Sequence, residues 1–108
     1  MRRVDPFFSV IIVNYNAGPL LQDALDSLKK QVFTDFEVIL VDNNSEDGSI
    51  QNLDLSDLPA IRVLRENRNH GFAKGNNLAA SQARGKWLAL LNPDATATPN
   101  WLSEIARA

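Results

Sequence analysis

Four short apolar runs alternate with polar or helix-like segments, and this order constrains the fold more than any other feature of the sequence. The runs span residues 8–13, 36–41, 61–64 and 87–91. Most of them are continuous rather than alternating with polar residues, which is typical of parallel strands that are covered on both faces. The sequence therefore predicts an α/β fold with an open, mainly parallel sheet of four strands and helices on both faces.

The segments between the apolar runs predict the helices. Residues 19–30 repeat apolar side chains along one helical face. Residues 71–83 do the same and precede Gly85, a typical helix stop. Residues 43–59 predict only a short or irregular helix, with Ser45 as its N-terminal cap.

A last helix is expected to begin near Pro99, with Thr98 as its cap. Its inward-facing residues are expected to be Trp101, Leu102 and Ile105. The sequence stops within this apolar-faced helix, which favours a fragment of a longer protein. A half-sheet would leave these three side chains partly uncovered, so we expect self-association through that exposed truncated face.

Size and composition narrow the possible functions. A chain of 108 residues allows one small domain, here residues 1–108. Its formal net charge of -2 gives no positive electrostatic field that would attract nucleic acid. The lack of cysteine excludes disulfides and thiolate metal sites and fits a reducing compartment. No apolar stretch approaches the roughly 20 residues that span a bilayer. We therefore expect a cytoplasmic protein, at most peripheral at the inner face of the cell membrane.

Polar residues follow every predicted strand. They are Asn14, Tyr15 and Asn16 after the first strand, Asp42, Asn43, Asn44 and Ser45 after the second, residues 67–71 after the third, and Asn92, Pro93 and Asp94 after the fourth. Each loop alone is better explained by ordinary turn chemistry, since Asn, Asp, Gly and Ser favour turns. However, the carboxyl ends of parallel strands meet at one edge, where open α/β sheets bind ligands. Four such loops with two strand-end carboxylates therefore favour a site.

The glycine pattern disfavours the two commonest phosphate-binding loops. Neither G-x-G-x-x-G nor G-x-x-x-x-G-K-[ST] follows the first strand. A bound phosphate would need another counter-charge, and a divalent cation held by Asp94 would supply it. Magnesium and manganese bind carboxylate oxygens and substrate phosphates together, so one protein carboxylate can suffice.

Four ordered segments resemble glycosyltransferase family 2, the inverting enzymes of the GT-A fold that use nucleotide-diphosphate sugars. The segments are SVIIVNYN, EVILVDNNSEDGS, NRNHGFAKGNNLAASQARGKWLALLNPD and the helix start at residues 99–102. Each segment alone is a weak signal, but the four in this order and spacing are specific. The resemblance covers nearly the whole chain, residues 9–101, and implies the Rossmann-like, N-terminal nucleotide-sugar-binding half of a longer glycosyltransferase.

The resemblance implies roles for the residues that follow the first two strands. Asn14, Tyr15 and Asn16 would lie along the nucleotide and contact its base and ribose. Asp42 matches the family's acidic residue that reads the N–H edge of a pyrimidine, and a carboxylate can only accept such a hydrogen bond. Asn44 would belong to the same nucleotide-binding set.

The segment after the third strand would begin the helix that lies over the base and the diphosphate. Gly71 would permit close approach of the backbone to the ligand. Asn76 and Asn77 stand where the family commonly has an Arg-Asn pair. Contact of Asn76 with the diphosphate would therefore lack a fixed positive charge.

The tripeptide Asn92-Pro93-Asp94 aligns with the Asp-x-Asp metal motif of the family. Asp94 keeps the carboxylate that binds the metal bridging the two phosphates, so the implied cofactor is Mg²⁺ or Mn²⁺. Asn92 replaces the other carboxylate, and its amide would bond a ribose hydroxyl or a metal-bound water. An Asn-Pro-Asp motif resembles the subgroup that transfers rhamnose, related deoxysugars or furanoses in cell-surface polysaccharide synthesis.

The implied reaction is transfer of a sugar from a UDP- or dTDP-sugar to an acceptor hydroxyl, with inversion. The acceptor would be a saccharide or a lipid-linked molecule bound by the full-length protein. The family's catalytic base lies downstream of the metal motif, so we expect it beyond Ala108 and expect no catalytic residue within this sequence. The chain alone would bind the donor but would be inactive at a useful rate.

Two other functional classes compete with this interpretation. A non-catalytic module for nucleotide binding or assembly would use the same strand-end residues. A phosphoacceptor signalling domain would need an acidic pair after the first strand and an aspartate after the third. The sequence has amide-rich segments at both positions, residues 14–16 and 67–69, which disfavours that class.

Several residues also have a purely structural interpretation. Asp42 could cap the turn that follows it, Asp94 could form an Asx turn, and Tyr15 could anchor its loop on the first helix. His70 has no visible carboxylate partner and is expected to be an exposed loop residue. The two tryptophans are expected to pack in the core or against helices: Trp87 and Trp101.

Overall fold

The structure, a computed structural model, describes residues 5–108. Its strands are β1 (Phe8–Asn14), β2 (Phe36–Asp42), β3 (Ile61–Arg65) and β4 (Trp87–Leu90), and its helices are α1 (Leu20–Lys29), α2 (Phe72–Gln82) and α3 (Trp101–Arg107). The four strands are parallel and lie in the order β3-β2-β1-β4. The predicted open parallel sheet is confirmed, with each strand within one residue of its predicted bounds. None of the helices among residues 5–108 has the length and apolar character of a membrane span.

The two faces of the sheet hold separate cores. Successive residues of a strand point to opposite faces, so the continuous apolar runs of β1 and β2 supply both cores. One core joins the sheet to α1 and α3 and includes Val10, Ile12, Val38, Leu40, Leu21, Leu25, Leu28 and Leu102. The other joins the sheet to α2 and includes Ile11, Val13, Ile39, Val41 and Ala79. The prediction of helices on both faces is therefore confirmed.

The strand register brings the carboxyl ends of the strands to one edge. Asn14 of β1 pairs with Asp42 of β2. On the other side of β1, Ile11 pairs with Leu90, and the backbone N–H of Leu91 donates to the Ile11 carbonyl at 3.0 Å. The chain beyond β4 therefore continues towards the level of Asn14, and the loops after β1, β2 and β4 open side by side.

The connection between β2 and β3 contains no helix, so the helix predicted within residues 43–59 is wrong. Four of its residues have positive φ angles: Asn44 (62°), Gly48 (79°), Asn52 (58°) and Asp57 (64°). A right-handed helix does not pass through left-handed residues, which here divide the connection into separate turns. Ser45, the predicted cap, donates its hydroxyl hydrogen to Asp42 Oδ1 at 2.7 Å instead.

Helix α3 begins at Trp101, and Asn100 occupies its cap position without a side-chain hydrogen bond, so the prediction of Thr98 as the cap is wrong. The Thr98 carbonyl accepts hydrogen bonds from the Trp101 backbone N–H at 3.0 Å and from Gln31 Nε2 at 2.6 Å. Gln31 Oε1 also accepts from the Leu102 backbone N–H at 3.1 Å. The side chain of Gln31 thereby fixes the start of α3 against the end of α1.

The exposed apolar face differs from the one predicted. Leu102 is fully buried and Trp101 packs partly buried against the core, whereas Ile105 is 41% exposed. Strand β4 is an edge strand, and Trp87 is 61% exposed, so the predicted core position of Trp87 is wrong. Three large apolar side chains of β4 are more exposed than Ile105: Trp87, Leu88 and Leu90.

Candidate functional site

The carboxyl edge of the sheet carries a cleft of about 590 Å³ between the loops after β1, β2 and β4 and the start of α2. Five residues predicted for a site line it: Tyr15, Asn16, Gly71, Asn92 and Asp94. The other described lining residues are Val13, Ala17, Leu20, Asn43, Asn69, Phe72 and Pro93. Four predicted residues lie outside this lining: Asn14, Asp42, Asn44 and Asn76. The structure therefore brings the metal-motif residues and part of the predicted nucleotide set to one place.

The loop after β1 is held at the cleft by the loop after β2. Asn16 has a φ of 55°, its backbone N–H donates to Ser45 Oγ at 3.0 Å, and its Oδ1 accepts from the Glu46 backbone N–H at 2.8 Å. Gly18 N–H donates to Asp47 Oδ2 at 2.8 Å. The hydroxyl and backbone N–H of Ser49 hold the pKa of Asp47 below its usual range, and the Gly18 N–H acts in the same direction. Asp47 therefore stays ionised and keeps accepting from the β1 loop.

Asn14 and Asp42 form a buried network beneath the cleft. Asn14 Nδ2 donates to Asp42 Oδ1 at 2.9 Å and also lies within hydrogen-bond distance of the Ser45 and Ser49 hydroxyls. Asp42 accepts further bonds from the backbone N–H and the hydroxyl of Ser45. The carboxylate of Asp42 therefore caps the turn after β2. Two carboxylate oxygens offer about four acceptor positions, and this network of described residues occupies three of them.

Asn43 is a cleft residue that was not in the predicted nucleotide-binding set. Its side chain is buried, and its Nδ2 donates to the Gly71 carbonyl at 3.1 Å. Its Oδ1 has no hydrogen-bond partner among residues 5–108. Asn44, which was predicted instead, is exposed and left-handed, and it lies outside the lining. The alternation of side chains along β2 was the missing signal. It directs Ile39 and Val41 towards α2, and Asn43 continues the same alternation.

Asn92 and Asp94 lie on the turn after β4, where the Ala95 N–H donates to the Asn92 carbonyl at 3.1 Å. Both side chains are exposed, and Asp94 is the one charged residue in the described lining. Residues 5–108 contain no group of three or more His, Cys, Asp or Glu side chains that could hold a metal. A cation here would take one protein carboxylate and complete its shell with substrate phosphate and water. This donor set fits Mg²⁺ or Mn²⁺ and does not form a closed protein cage.

The loop between β3 and α2 reaches the cleft through Asn69 and Gly71. Asn69 Oδ1 accepts from the Gly71 N–H at 2.8 Å. His70 is partly buried, and its Nε2 lies 3.3 Å from Glu66 Oε1, so the expectation of an exposed histidine without a carboxylate partner is wrong. Arg68 Nε donates to His70 Nδ1 at 3.4 Å. His70 therefore holds the loop together and does not line the cleft.

The chain is similar to known proteins in sequence and in fold. Residues 9–108 match the sequence profile of Glycosyl transferase family 2. A "PGL/p-HBAD biosynthesis glycosyltransferase" of Mycobacterium tuberculosis is 33% identical over 91 residues, which cover 82% of this chain and 36% of the relative. S. aureus TarS, solved in complex with UDP-GlcNAc, superimposes with a TM-score of 0.84 at 32% identity and covers 93% of this chain and 30% of the TarS chain.

The mannosyltransferase PcManGT from Pyrobaculum calidifontis, solved in complex with GDP-Man and Mn²⁺, superimposes with a TM-score of 0.85 at 27% identity. The superposition covers 96% of this chain and 32% of the mannosyltransferase. The chain thus spans about a third of the length of the curated relatives and solved structures just compared. These similarities confirm the predicted fold class.

Proposed function

We propose a function for the cleft from one premise: the chain belongs to glycosyl transferase family 2. The cleft binds the nucleotide-diphosphate-sugar donor of a glycosyltransferase, with UDP or dTDP as the nucleotide part. The observation that carries this proposal is the convergence of five predicted residues on one cleft at the carboxyl edge of a parallel sheet. TarS, solved with UDP-GlcNAc, and PcManGT, solved with GDP-Man, superimpose on the chain and support a nucleotide-sugar donor; of the two, TarS supports UDP.

The distribution of charge orients the donor within the cleft. The diphosphate would lie towards Asp94, since a cation held there is the counter-charge that the described lining otherwise lacks. The base would lie towards the ends of β1 and β2, where Asp42 would accept from a pyrimidine N–H. Asn14 would position that carboxylate. Contacts of Asn14, Asp42, Asn44 and Asn76 with the nucleotide all stay predictions, because the four residues lie outside the cleft lining.

The proposed cofactor is Mg²⁺ or Mn²⁺, held by Asp94 with Asn92 beside it. Bound there, the cation would stabilise negative charge on the departing diphosphate. Asn92 adds no charge, so one carboxylate would anchor the metal and its affinity without the nucleotide would be low. Metal and nucleotide should therefore bind together more tightly than either does alone.

We further propose that residues 1–108 form the N-terminal donor-binding part of a longer inverting glycosyltransferase, because the chain spans about a third of its relatives' length. The catalytic base and the site for a saccharide or lipid-linked acceptor would lie outside it. Loss of a general base alone forfeits a factor of about 100 to 10,000. The Asn-Pro-Asp motif supports transfer of rhamnose, a related deoxysugar or a furanose in cell-surface polysaccharide synthesis.

Calorimetric titration of UDP and dTDP with and without Mn²⁺ tests the proposal. We expect Mn²⁺ to strengthen nucleotide binding to the wild type, and we expect Asp94→Asn to remove that gain. Asp35→Asn is the matched control, because Asp35 is exposed at the opposite end of the sheet. Nucleotide binding that is independent of Mn²⁺ and unchanged by Asp94→Asn would refute the assignment of Asp94 as the metal ligand. A folded chain that binds neither nucleotide would refute the donor-site proposal and the alternative of a non-catalytic nucleotide-binding module.

A further inference from the structure

Three large apolar side chains are exposed around the cleft. Among residues 5–108, Tyr15 is 47% exposed, Leu20 is 48% exposed and Phe72 is 57% exposed, and all three line the cleft. Exposed apolar groups that cluster at a concave site mark binding surfaces more often than chance exposure does. Of the three, Tyr15 already belongs to the proposed nucleotide contacts, whereas Phe72 has no assigned role.

The backbone that carries Phe72 is fixed on both sides of the preceding residue. The Gly71 carbonyl accepts hydrogen bonds from Asn43 Nδ2 and from the Gly75 N–H, each at 3.1 Å. The Gly71 N–H donates to Asn69 Oδ1 at 2.8 Å. Gly71 has a φ of 86°, which favours glycine and lets the chain turn into α2 at this point.

Helix α2 also lies directly on β1, which limits movement of its first turn. A Cβ atom at Gly75 would lie 2.7 Å from a methyl group of Val13 and 3.3 Å from Asn43 Nδ2. The helix therefore approaches the sheet as closely as a glycine allows. Phe72, in the first turn of α2, lines the cleft from a backbone that is already fixed, so little backbone entropy would be lost when a ligand covers its ring.

The wall that contains Phe72 carries no charged side chain among the described lining residues. Two amides of the lining, Asn43 and Asn69, bond to Gly71, which precedes Phe72, while the charged Asp94 follows a different strand, β4. A diphosphate has no charged side chain to pair with on this wall, whereas a planar base can combine contact with an aromatic ring and hydrogen bonds to amides. The aromatic pairs among residues 5–108 involve only Phe7, Phe8 and Phe33, so neither Tyr15 nor Phe72 stacks on another aromatic ring of the described residues.

We propose that Phe72 is a base-binding residue of the donor site and that it stacks on the nucleobase. The inference rests on the proposed function, and it places the nucleobase of the donor on the α2 side of the cleft. Asn43 is a positioning residue in this arrangement, because it holds the Gly71 carbonyl from which Phe72 follows. Every base has an aromatic face, so Phe72 strengthens binding without choosing the base, and hydrogen-bonding groups make that choice.

Three ligands separate base contact from contact with the rest of the donor: UDP, UDP-GlcNAc and inorganic pyrophosphate, each titrated with Mn²⁺ by calorimetry. Phe72→Ala should weaken UDP and UDP-GlcNAc binding by about 5- to 150-fold, the range that base–aromatic stacking gives on alanine substitution. Pyrophosphate binding should stay unchanged because pyrophosphate has no base. Val32→Ala, at a 64% exposed apolar residue outside the cleft lining, should change none of the three.

Phe72→Trp supplies a second readout that does not depend on loss of binding. It should retain UDP affinity within about 3-fold, and UDP but not pyrophosphate should quench its fluorescence, with Trp87 and Trp101 outside the cleft lining. Unchanged UDP affinity in Phe72→Ala would overturn the inference, as would equal weakening of UDP and pyrophosphate. Weakening confined to UDP-GlcNAc would place the ring against the sugar and also overturn it. A wild type that binds no nucleotide would instead defeat the proposed function on which the inference rests.

Discussion

Replacement of Glu37 by glutamine tests how the sheet holds the helix that forms one side of the cleft. Glu37 is a buried residue of β2, and its carboxylate accepts hydrogen bonds from Ser9 Oγ at 2.5 Å, Arg84 N–H at 2.7 Å and Arg62 Nη2 at 3.1 Å. Arg62 also donates to the Gln82 carbonyl at 2.5 Å. These bonds attach the end of α2, and the connection from α2 to β4, to the sheet.

Glutamine keeps the shape of the side chain but removes its charge and places an N–H against one of the three donors. A hydrogen bond to a charged group contributes about 1.5–3 kcal/mol, and breaking a buried ion pair costs about 3–5 kcal/mol. The Arg62 side chain is 32% exposed, so water screens its part and the lower values apply. We expect Glu37→Gln to lower the free energy of unfolding by about 2–3 kcal/mol, or roughly 10–20 °C in Tm.

The effect should depend on pH. Burial raises the pKa of Glu37, but the hydrogen bonds from Ser9, Arg84 and Arg62 outweigh it and lower the pKa below its ordinary value of 4.5. A carboxyl group whose pKa is lower in the folded chain stabilises the fold above its unfolded pKa. That stabilisation is lost as the pH falls through the folded pKa. The difference in stability between wild type and Glu37→Gln should therefore be full near pH 7 and should shrink at pH values below 4.5.

Urea unfolding followed by circular dichroism, at steps from about pH 7 to about pH 3, measures this difference. Glu104→Gln is the control, because Glu104 is exposed on α3, and it should stay within about 0.5 kcal/mol of the wild type. If the free energy of unfolding of Glu37→Gln at pH 7 were also within about 0.5 kcal/mol of the wild type, the hydrogen bonds to Glu37 would not stabilise the fold as proposed. If a large difference stayed constant down to pH 3, it would not arise from ionisation of Glu37.

Two further substitutions test the fold. Gly85→Ala should lower the free energy of unfolding by at least about 3 kcal/mol, because the Cβ of alanine would overlap the backbone atoms Ser9 N and Phe8 C. Thermal unfolding measures the change, and an unchanged Tm would contradict the prediction. Leu88→Lys should reduce concentration-dependent self-association through the exposed β4 edge, as measured by sedimentation. Val32→Lys, at another exposed apolar residue, is the control, and a wild type that is monomeric at all concentrations would contradict the prediction.

The sheet could be predicted from the sequence because its signal is local. Each strand coincides with a continuous apolar run, and such runs arise when both faces of a strand are covered. The strand order is not local, so the sequence alone did not reveal that β4 forms an edge. That is why Trp87 was predicted to be buried and is 61% exposed. The prediction of a helix after β2 was wrong because residues such as Asn44 and Asp57 adopt left-handed conformations. Asn and Asp adopt this conformation only occasionally, so the sequence does not show which of them will do so.

The cleft was predictable at the level of strand ends but not at the level of individual side chains. Residues after parallel strands must gather at one edge, which explains why Tyr15 and Asp94 share a cleft. Leu20 and Phe72 lie within the apolar patterns that predicted the helices at residues 19–30 and 71–83, yet both are exposed at the cleft. Periodicity identifies an apolar side chain in a helix, but it does not distinguish the buried face from the first turn that borders a ligand.

Binding of a pyrimidine nucleoside diphosphate in the cleft at the carboxyl edge can be tested by nuclear magnetic resonance. The isotope-labelled chain is titrated with UDP and Mg²⁺, and the chemical shifts of its backbone amides are followed. We expect the largest shift changes in the loops around the cleft, in residues 14–17, 43–45, 69–72 and 92–95. Changes that cluster instead around the exposed apolar residues Trp87, Leu88 and Ile105, or no changes at millimolar UDP, would rule out this site.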